Sequence, residues 1–193
     1  MEWNRLTGLP TFLKLNDGRE VETRRQFLGA FNVINDEQRE YRLMLRDVVL
    51  RGDPWCLMAY GKKGNGKTLL AQIAVNTFND GGYKGGIYTT QPLMQVELRS
   101  DGNTAYRRYV TAGVLVIDEL SDRPSDWTEF IKTNIENILI ERHRMNLPVV
   151  MIGNIKATRI EQMFDERVMD RIKEGLFMNM KEESMRRLHD GNK

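Results

Sequence analysis

A glycine-rich segment, Gly61 to Thr68, constrains the fold of this chain more than any other feature. Its sequence, Gly-Lys-Lys-Gly-Asn-Gly-Lys-Thr, matches the pattern G-x-x-x-x-G-K-[ST] at every fixed position. Glycines there let backbone N–H groups fold around an anion at close range. We therefore predict a strand, a phosphate-binding loop and a helix, in that order. The residues expected around the phosphates are Gly61, Lys62, Lys63, Gly64, Asn65, Gly66, Lys67, Thr68 and Leu69.

Two side chains of this loop have predicted chemical roles. Lys67 is expected to reach the β- and γ-phosphates, and the hydroxyl of Thr68 is expected to ligate Mg²⁺. The helix that begins here directs the positive end of its dipole at the phosphates. On this motif alone, a lysine-containing glycine turn without a ligand remains the alternative.

A second segment, Val114 to Leu120, is apolar except for two carboxylates, Asp118 and Glu119. Its β-branched residues indicate a buried parallel strand with these acids at its carboxyl end. Because ligands bind at that end of an open α/β sheet, both acids are expected beside the phosphate loop. Asp118 is predicted to hold Mg²⁺, usually through water, and Glu119 to act as the base for an attacking water. The alternative for either acid is a surface carboxylate.

Size and composition favour one α/β domain with a short appendage. The chain has 193 residues, of which 40% are hydrophobic and 29% charged. No apolar run is long enough to span a bilayer, and the N-terminus does not resemble a signal peptide, so we expect a cytoplasmic protein without a membrane partner. The single cysteine, Cys56, excludes an internal disulfide. A net charge of +2 does not by itself indicate nucleic-acid binding.

The chain before the phosphate loop divides at about residue 35. We predict an N-terminal extension over 1–35, either an arm or a small hairpin turning at Asn16–Gly18, and a nucleotide-binding domain over 36–193. Helical spacing of apolar residues predicts a helix over 36–51.

Strand and helix patterns alternate through the rest of the chain and predict a parallel sheet with helices on both faces. Helices are expected from Lys67 to about Asn79, from Pro92 onward, over 127–143 and over 159–173. The five predicted strands are 55–60, 86–90, 114–120, 148–153 and 175–180.

Two further segments have functional and structural interpretations. Asn154 follows the fourth predicted strand and is expected near the γ-phosphate, where its amide could orient an attacking water. The alternative is a turn-forming asparagine. Tyr106-Arg107-Arg108-Tyr109 alternates aromatic and basic residues, as a surface for single-stranded DNA does. An amphipathic helix over the sheet is the favoured alternative.

Four segments taken together resemble the AAA+ domain of DnaC/DnaI-type replicative helicase loaders. They are Gly61–Thr68, Val116–Glu119, Ile152–Asn154 and Glu166–Arg171, and the resemblance covers residues 36–188. It implies an AAA+/ASCE P-loop NTPase, a three-layer α/β sandwich with a five-stranded parallel sheet in the order 5-1-4-3-2 and no separate helical lid.

The resemblance also assigns individual residues. Asn154 corresponds to the sensor-1 position, and Arg171 to an arginine finger that reaches the nucleotide of a neighbouring subunit. Arg186 or Arg187 lies near a late arginine of these loaders.

As a functional expectation, the resemblance implies an ATPase that uses ATP and Mg²⁺, binds a DnaB-type replicative helicase and single-stranded DNA, and assembles with copies of itself. So short a loader would suit a bacteriophage. Three alternatives remain: an IstB-like helper of a DNA transposase, a non-hydrolysing P-loop interaction module, and a small-molecule kinase. The Asp118–Glu119 pair argues against the kinase, because it favours hydrolysis over transfer of the phosphoryl group to a metabolite.

Overall fold

A five-stranded parallel sheet forms the centre of the molecule. The computed structural model describes residues 12–14, 20–22, 36–80, 85–121 and 123–181. Outside the sheet, the short strands β1 (Phe12–Lys14) and β2 (Glu20–Glu22) pair antiparallel, as the predicted hairpin requires. The turn of that hairpin lies outside the described residues. The central strands are β3 (Cys56–Gly61), β4 (Gly86–Thr90), β5 (Val114–Leu120), β6 (Val149–Gly153) and β7 (Leu176–Met180).

The spatial order of the sheet is β4-β5-β6-β3-β7, and every neighbouring pair is parallel. With the five strands numbered along the chain, this is the predicted order 5-1-4-3-2 read from the other edge, so the predicted topology is confirmed. The order places β6 between β3, which leads into the phosphate loop, and β5, which carries the acids.

Seven helices in the described part of the chain cover the sheet. The helix predicted from Pro92 ends at Ser100, and a separate helix begins after Gly102, whose φ is +49°. The helix predicted over 159–173 is two helices, because it breaks before Asp165, whose side chain accepts from the Val168 N–H at 2.8 Å and caps the second one. The helices are α1 (Asp36–Arg46, continued by a π-helical turn at Asp47–Arg51), α2 (Lys67–Asp80), α3 (Gln91–Ser100), α4 (Asn103–Thr111), α5 (Glu129–Arg144), α6 (Ala157–Met163) and α7 (Glu166–Lys173).

Both faces of the sheet are buried, because alternate residues of each strand point to opposite sides. One face, which includes Met58 and Ile117, packs against α3 to α7. The other face, which includes Leu57 and Val116, packs against α1 and α2. The predicted three-layer arrangement is therefore present. Among the described residues, no helix combines the length and the apolar character needed to cross a bilayer.

A fully buried arginine, Arg142, binds the segments that lead into the amino ends of β5 and β6, at the end of the sheet opposite the phosphate loop. Its guanidinium donates to the carbonyls of Tyr109, Val110 and Ala112 at 2.7–3.1 Å, and to that of Pro148 at 2.7 Å. These carbonyls end α4 and precede β6. Because buried acceptors are costly when unpaired, this side chain sets where β5 and β6 begin.

Candidate nucleotide-binding site

The phosphate loop connects β3 to α2 at the carboxyl edge of the sheet. Gly61, Gly64 and Gly66 have φ values of +122°, +86° and +88°, a region that favours glycine. A Cβ on Gly61 would lie 2.1 Å from the carbonyl oxygen of Met180, the last residue of β7. Only glycine therefore lets the loop pass this close to β7.

The end of β7 holds the loop by hydrogen bonds. The carbonyl of Met180 accepts from the backbone N–H of Lys62 at 3.2 Å and from Nδ2 of Asn65 at 3.0 Å. Asn65 is almost fully buried. The loop is thus attached to the edge strand of the sheet as well as to β3.

Helix α1 supports the loop from the other side. Gln38 donates through Nε2 to the Asn65 carbonyl at 2.7 Å, and the Tyr41 hydroxyl donates to the Lys67 carbonyl at 3.3 Å. Both side chains are buried. Burial raises the pKa of Tyr41 well above its ordinary value, with a further contribution from the nearby charge of Asp118, so the hydroxyl remains a donor. The sequence predicted α1 as a helix but gave no sign of this contact.

The ammonium group of Lys67 lies inside the loop. It donates to the Lys62 carbonyl at 2.6 Å, to Oδ1 of Asn65 at 2.8 Å and to the Gly61 carbonyl at 3.2 Å. An incoming phosphate would compete with these loop oxygens for the same charged donor. Thr68, in the first turn of α2, and the following Leu69 are both exposed.

Asp118 lies at the end of β5 and is 3% exposed. The Tyr88 hydroxyl donates to its Oδ2 at 2.7 Å, and the backbone N–H of Glu119 donates to its Oδ1 at 2.6 Å. Burial, together with the hydrogen bond and charge of Asp118, raises the pKa of Tyr88. The carboxylate is therefore held by one donor on each oxygen.

Glu119 is exposed at this edge because the strand bulges there. Between Ile117 and Leu120, β5 has one more residue than the facing segment of β6, and Glu119 has a φ of +56°. Bulges redirect side chains and occur often next to active sites, and a positive φ in a non-glycine residue is a local strain. The bulge directs Glu119 away from the core while Asp118 stays buried.

Asn154 is exposed directly after β6. Gly153, the preceding residue, pairs with Tyr60 of β3 and with Leu120 of β5. Asn154 therefore follows the strand between the phosphate loop and the acids. The structure brings Lys67, Asp118, Glu119 and Asn154 to one edge of the sheet, and their catalytic roles stay predictions.

Arg171 lies near the amino end of β3, whereas the phosphate loop follows its carboxyl end. Trp55, which precedes β3, donates through its indole N–H to the Arg171 carbonyl at 3.0 Å, and the Arg171 guanidinium donates to the Arg167 carbonyl at 2.6 Å. The six residues of β3 separate this position from the phosphate loop by about 20 Å at ~3.3 Å per residue. Arg171 is thus remote from the phosphate loop of its own chain.

The segment Tyr106–Tyr109 forms part of α4, as the amphipathic-helix interpretation predicted. Tyr109 is fully buried and its hydroxyl donates to Glu97, so it cannot stack on bases, and that assignment was wrong. Tyr106 packs against the core, whereas Arg107 is exposed and Arg108 pairs with Glu97 at 2.6 Å. Arg186 and Arg187 lie outside the described residues.

The donor groups present fit Mg²⁺ and a nucleotide. Mg²⁺ takes hard oxygen ligands and usually keeps several waters and phosphate oxygens, so it needs few protein ligands. The Asp118 carboxylate and the Thr68 hydroxyl are such ligands. Among the described residues there is no group of three or more His, Cys, Asp or Glu side chains that could hold a metal ion by itself. The loop, in which three glycines have positive φ, has the backbone form that would cradle phosphates.

Comparison with solved structures agrees with this geometry. Neither a protein-family model nor a curated protein matches the chain. Solved structures do match. The AMPPCP-bound DnaA of Aquifex aeolicus superposes with a TM-score of 0.65 at 18% identity, over 76% of this chain and 47% of that one. The chain has an α/β P-loop NTPase-like fold that matches this structure.

Two further structures show the same fold at different coverage. The replication initiator DnaA bound to AMPPCP and single-stranded DNA gives a TM-score of 0.65 at 19% identity, over 78% of this chain and 48% of that one. The DnaC helicase loader gives 0.63 at 21% identity, over 77% of this chain and 92% of that one. The chain therefore spans about half the length of these DnaA structures and nearly all of the DnaC structure.

The contact between the loop and β7 leads to a prediction. Gly61→Ala should lower the free energy of unfolding by about 3 kcal/mol or more, because left-handed strain and overpacking each cost ~1–3 kcal/mol. Gly102→Ala is the matched control, since Gly102 also has a positive φ but its Cβ would meet nothing within 4 Å. It should cost only the backbone strain, ~1–3 kcal/mol, without the overpacking. Urea denaturation followed by circular dichroism measures both, and equal losses would contradict a close packing of the loop on β7.

Proposed function

We propose that this chain is an ATP-dependent loader of a hexameric, DnaB-type replicative helicase. The observation that carries the proposal is that this fold brings four predicted site residues together at the carboxyl ends of its strands. The AAA+ fold spans 92% of the DnaC helicase loader structure, and Lys67, Asp118, Glu119 and Asn154 lie at its carboxyl edge. A non-hydrolysing module would have no need of both acids and the asparagine.

The site residues divide the proposed chemistry between them. Lys67 would leave the loop carbonyls and contact the β- and γ-phosphates, and Asp118 and Thr68 would hold Mg²⁺, which would supply neutralisation of the phosphate charge. Glu119, directed outward by the bulge, takes the proton of the attacking water. Asn154 orients that water through its amide.

Single-stranded DNA is the second proposed partner. The similar fold of DnaA bound to AMPPCP and single-stranded DNA supports it. On α4 the guanidinium groups of Arg107 and Arg108 are the candidate phosphate contacts, because both are exposed whereas the neighbouring tyrosines pack inward. Arg108 would exchange its ion pair with Glu97 for the phosphate. Such contacts weaken as salt rises, since they release counterions.

Arg171 is proposed to act in a neighbouring subunit of a homo-oligomer. Its own phosphate loop lies at the other end of β3, so the side chain cannot serve the nucleotide of its own chain. A neighbour that placed its site against α7 would receive the guanidinium at the γ-phosphate.

Two substitutions separate nucleotide binding from hydrolysis. Glu119→Gln should bind ATP normally and hydrolyse it ~10²–10⁴-fold more slowly, because general base catalysis is lost. Lys67→Ala should lose ATP affinity itself, because it removes a charge-assisted phosphate contact. Fluorescent-nucleotide titration and phosphate release measure the two effects. Hydrolysis by Glu119→Gln at the normal rate would exclude Glu119 as the base, and binding without hydrolysis by the unmodified chain would favour the interaction module.

Mixing variants tests the trans role of Arg171. Arg171→Ala should bind ATP normally and hydrolyse it up to ~10³–10⁵-fold more slowly, the range for complete arginine fingers. Adding Lys67→Ala subunits should restore hydrolysis, because their intact Arg171 side chains can reach the intact nucleotide sites of the Arg171→Ala subunits. Arg167→Ala, one turn earlier and exposed, is the control and should retain activity. Absence of rescue in a mixture shown to co-assemble would contradict the trans role.

Affinity capture tests the partner. The tagged chain should recover the replicative helicase from an extract of its own host, identified by mass spectrometry, with different yields in ATP and ADP. The purified helicase should then show the same nucleotide dependence in a two-component assay. Recovery of a transposase instead of a helicase would favour the transposition helper.

A further inference from the structure

Tyr88 lies between the two elements that carry the predicted magnesium ligands, β5 with Asp118 and α2 with Thr68. It lies on β4, where Thr90 pairs with Asp118 and Tyr88 pairs with Val116 of β5. Because side chains alternate along a strand, Tyr88, Val116 and Asp118 share one face of the sheet. That face is the one covered by α1 and α2.

The hydroxyl of Tyr88 takes part in a chain of hydrogen bonds. It donates its proton to Oδ2 of Asp118 at 2.7 Å. A hydrogen bond from the side chain of Gln72 opposes the rise in the pKa of Tyr88. A phenol has one proton, so Gln72 is the donor in the second bond. Gln72 lies four residues after Thr68 on α2, which places it one turn further along the same side of the helix.

We propose that Tyr88 is a positioning residue of this site: its hydroxyl fixes the Asp118 carboxylate in the orientation that binding of Mg²⁺ with ATP requires. The inference rests on the proposed function, because it concerns the same nucleotide site. Asp118 is buried, and a buried carboxylate needs donors on its oxygens. The Glu119 N–H supplies one and Tyr88 the other, and each oxygen keeps a lone pair for a metal-bound water.

The ring and the hydroxyl of Tyr88 have separable tasks. The ring packs against the core under α2, whereas the hydroxyl contacts Asp118 and Gln72. Phenylalanine at this position would keep the packing and leave Oδ2 without its protein donor. The carboxylate would then populate other orientations, so the effect should fall on Mg²⁺-dependent binding and spare binding of the nucleotide alone.

The test measures the affinity of the full-length chain for a fluorescent ATP analogue, once with Mg²⁺ and once with EDTA. Tyr88→Phe should reduce the affinity gained from Mg²⁺ about tenfold, the lower end of the range for partners that orient metal ligands. Its affinity in EDTA should equal that of the unmodified chain. Gln72→Leu, which removes the support from the helix side, should reduce the gain by a smaller factor, and it carries the test if Tyr88→Phe does not fold.

Tyr109→Phe is the matched control. It also removes a phenol that donates to a carboxylate, that of Glu97, but this pair joins α4 to α3 on the face of the sheet opposite Tyr88 and Asp118. It should leave both affinities unchanged. An unaltered gain from Mg²⁺ in Tyr88→Phe, or an equal loss with Mg²⁺ and with EDTA, would overturn the positioning role. Failure of the unmodified chain to bind the analogue in either condition would instead overturn the proposed function itself.

Discussion

The attachment of the phosphate loop to β7 and α1 is the constraint on which the rest of the site depends. One carbonyl of β7, that of Met180, accepts from both Lys62 and Asn65, and Gln38 of α1 donates to the carbonyl of Asn65. The side chain of Asn65 also accepts from Lys67, so the same residue links both supports to this lysine. The loop is therefore already shaped in the absence of a ligand, which would lower the conformational entropy lost on binding a nucleotide.

The parallel sheet supplies the second half of the site. Because β6 lies between β3 and β5, the residues that follow these three strands meet at one edge. The bulge in β5 then separates its two acids: Asp118 remains buried under Tyr88, and Glu119 faces outward. One strand thus carries one fixed, buried carboxylate and one exposed carboxylate, to which we assign the proposed metal and water roles.

The parts of this site that the sequence predicted are those set by short-range patterns. The glycine spacing from Gly61 to Gly66, the apolar strand ending at Asp118 and the position of Asn154 each depend on a few neighbouring residues and on the rule that ligands bind at strand ends. The supports could not be predicted, because they join residues 26–30 positions apart, as in the pairs Gln38–Asn65, Tyr41–Lys67 and Tyr88–Asp118. The burial of Tyr109 was likewise decided by packing between α4 and the sheet.

The central claim is that the loop at the end of β3 binds Mg²⁺ and ATP with Lys67 on the phosphates. A crystal structure with AMPPCP and Mg²⁺ tests it most directly. The ammonium of Lys67 should leave the Lys62 carbonyl, now 2.6 Å away, for the β- and γ-phosphates, while Asp118 and Thr68 lie at the metal and Asn65 keeps its bond to Met180. A nucleotide bound elsewhere, or phosphates outside a loop in which Lys67 still contacts the Lys62 carbonyl, would contradict the account.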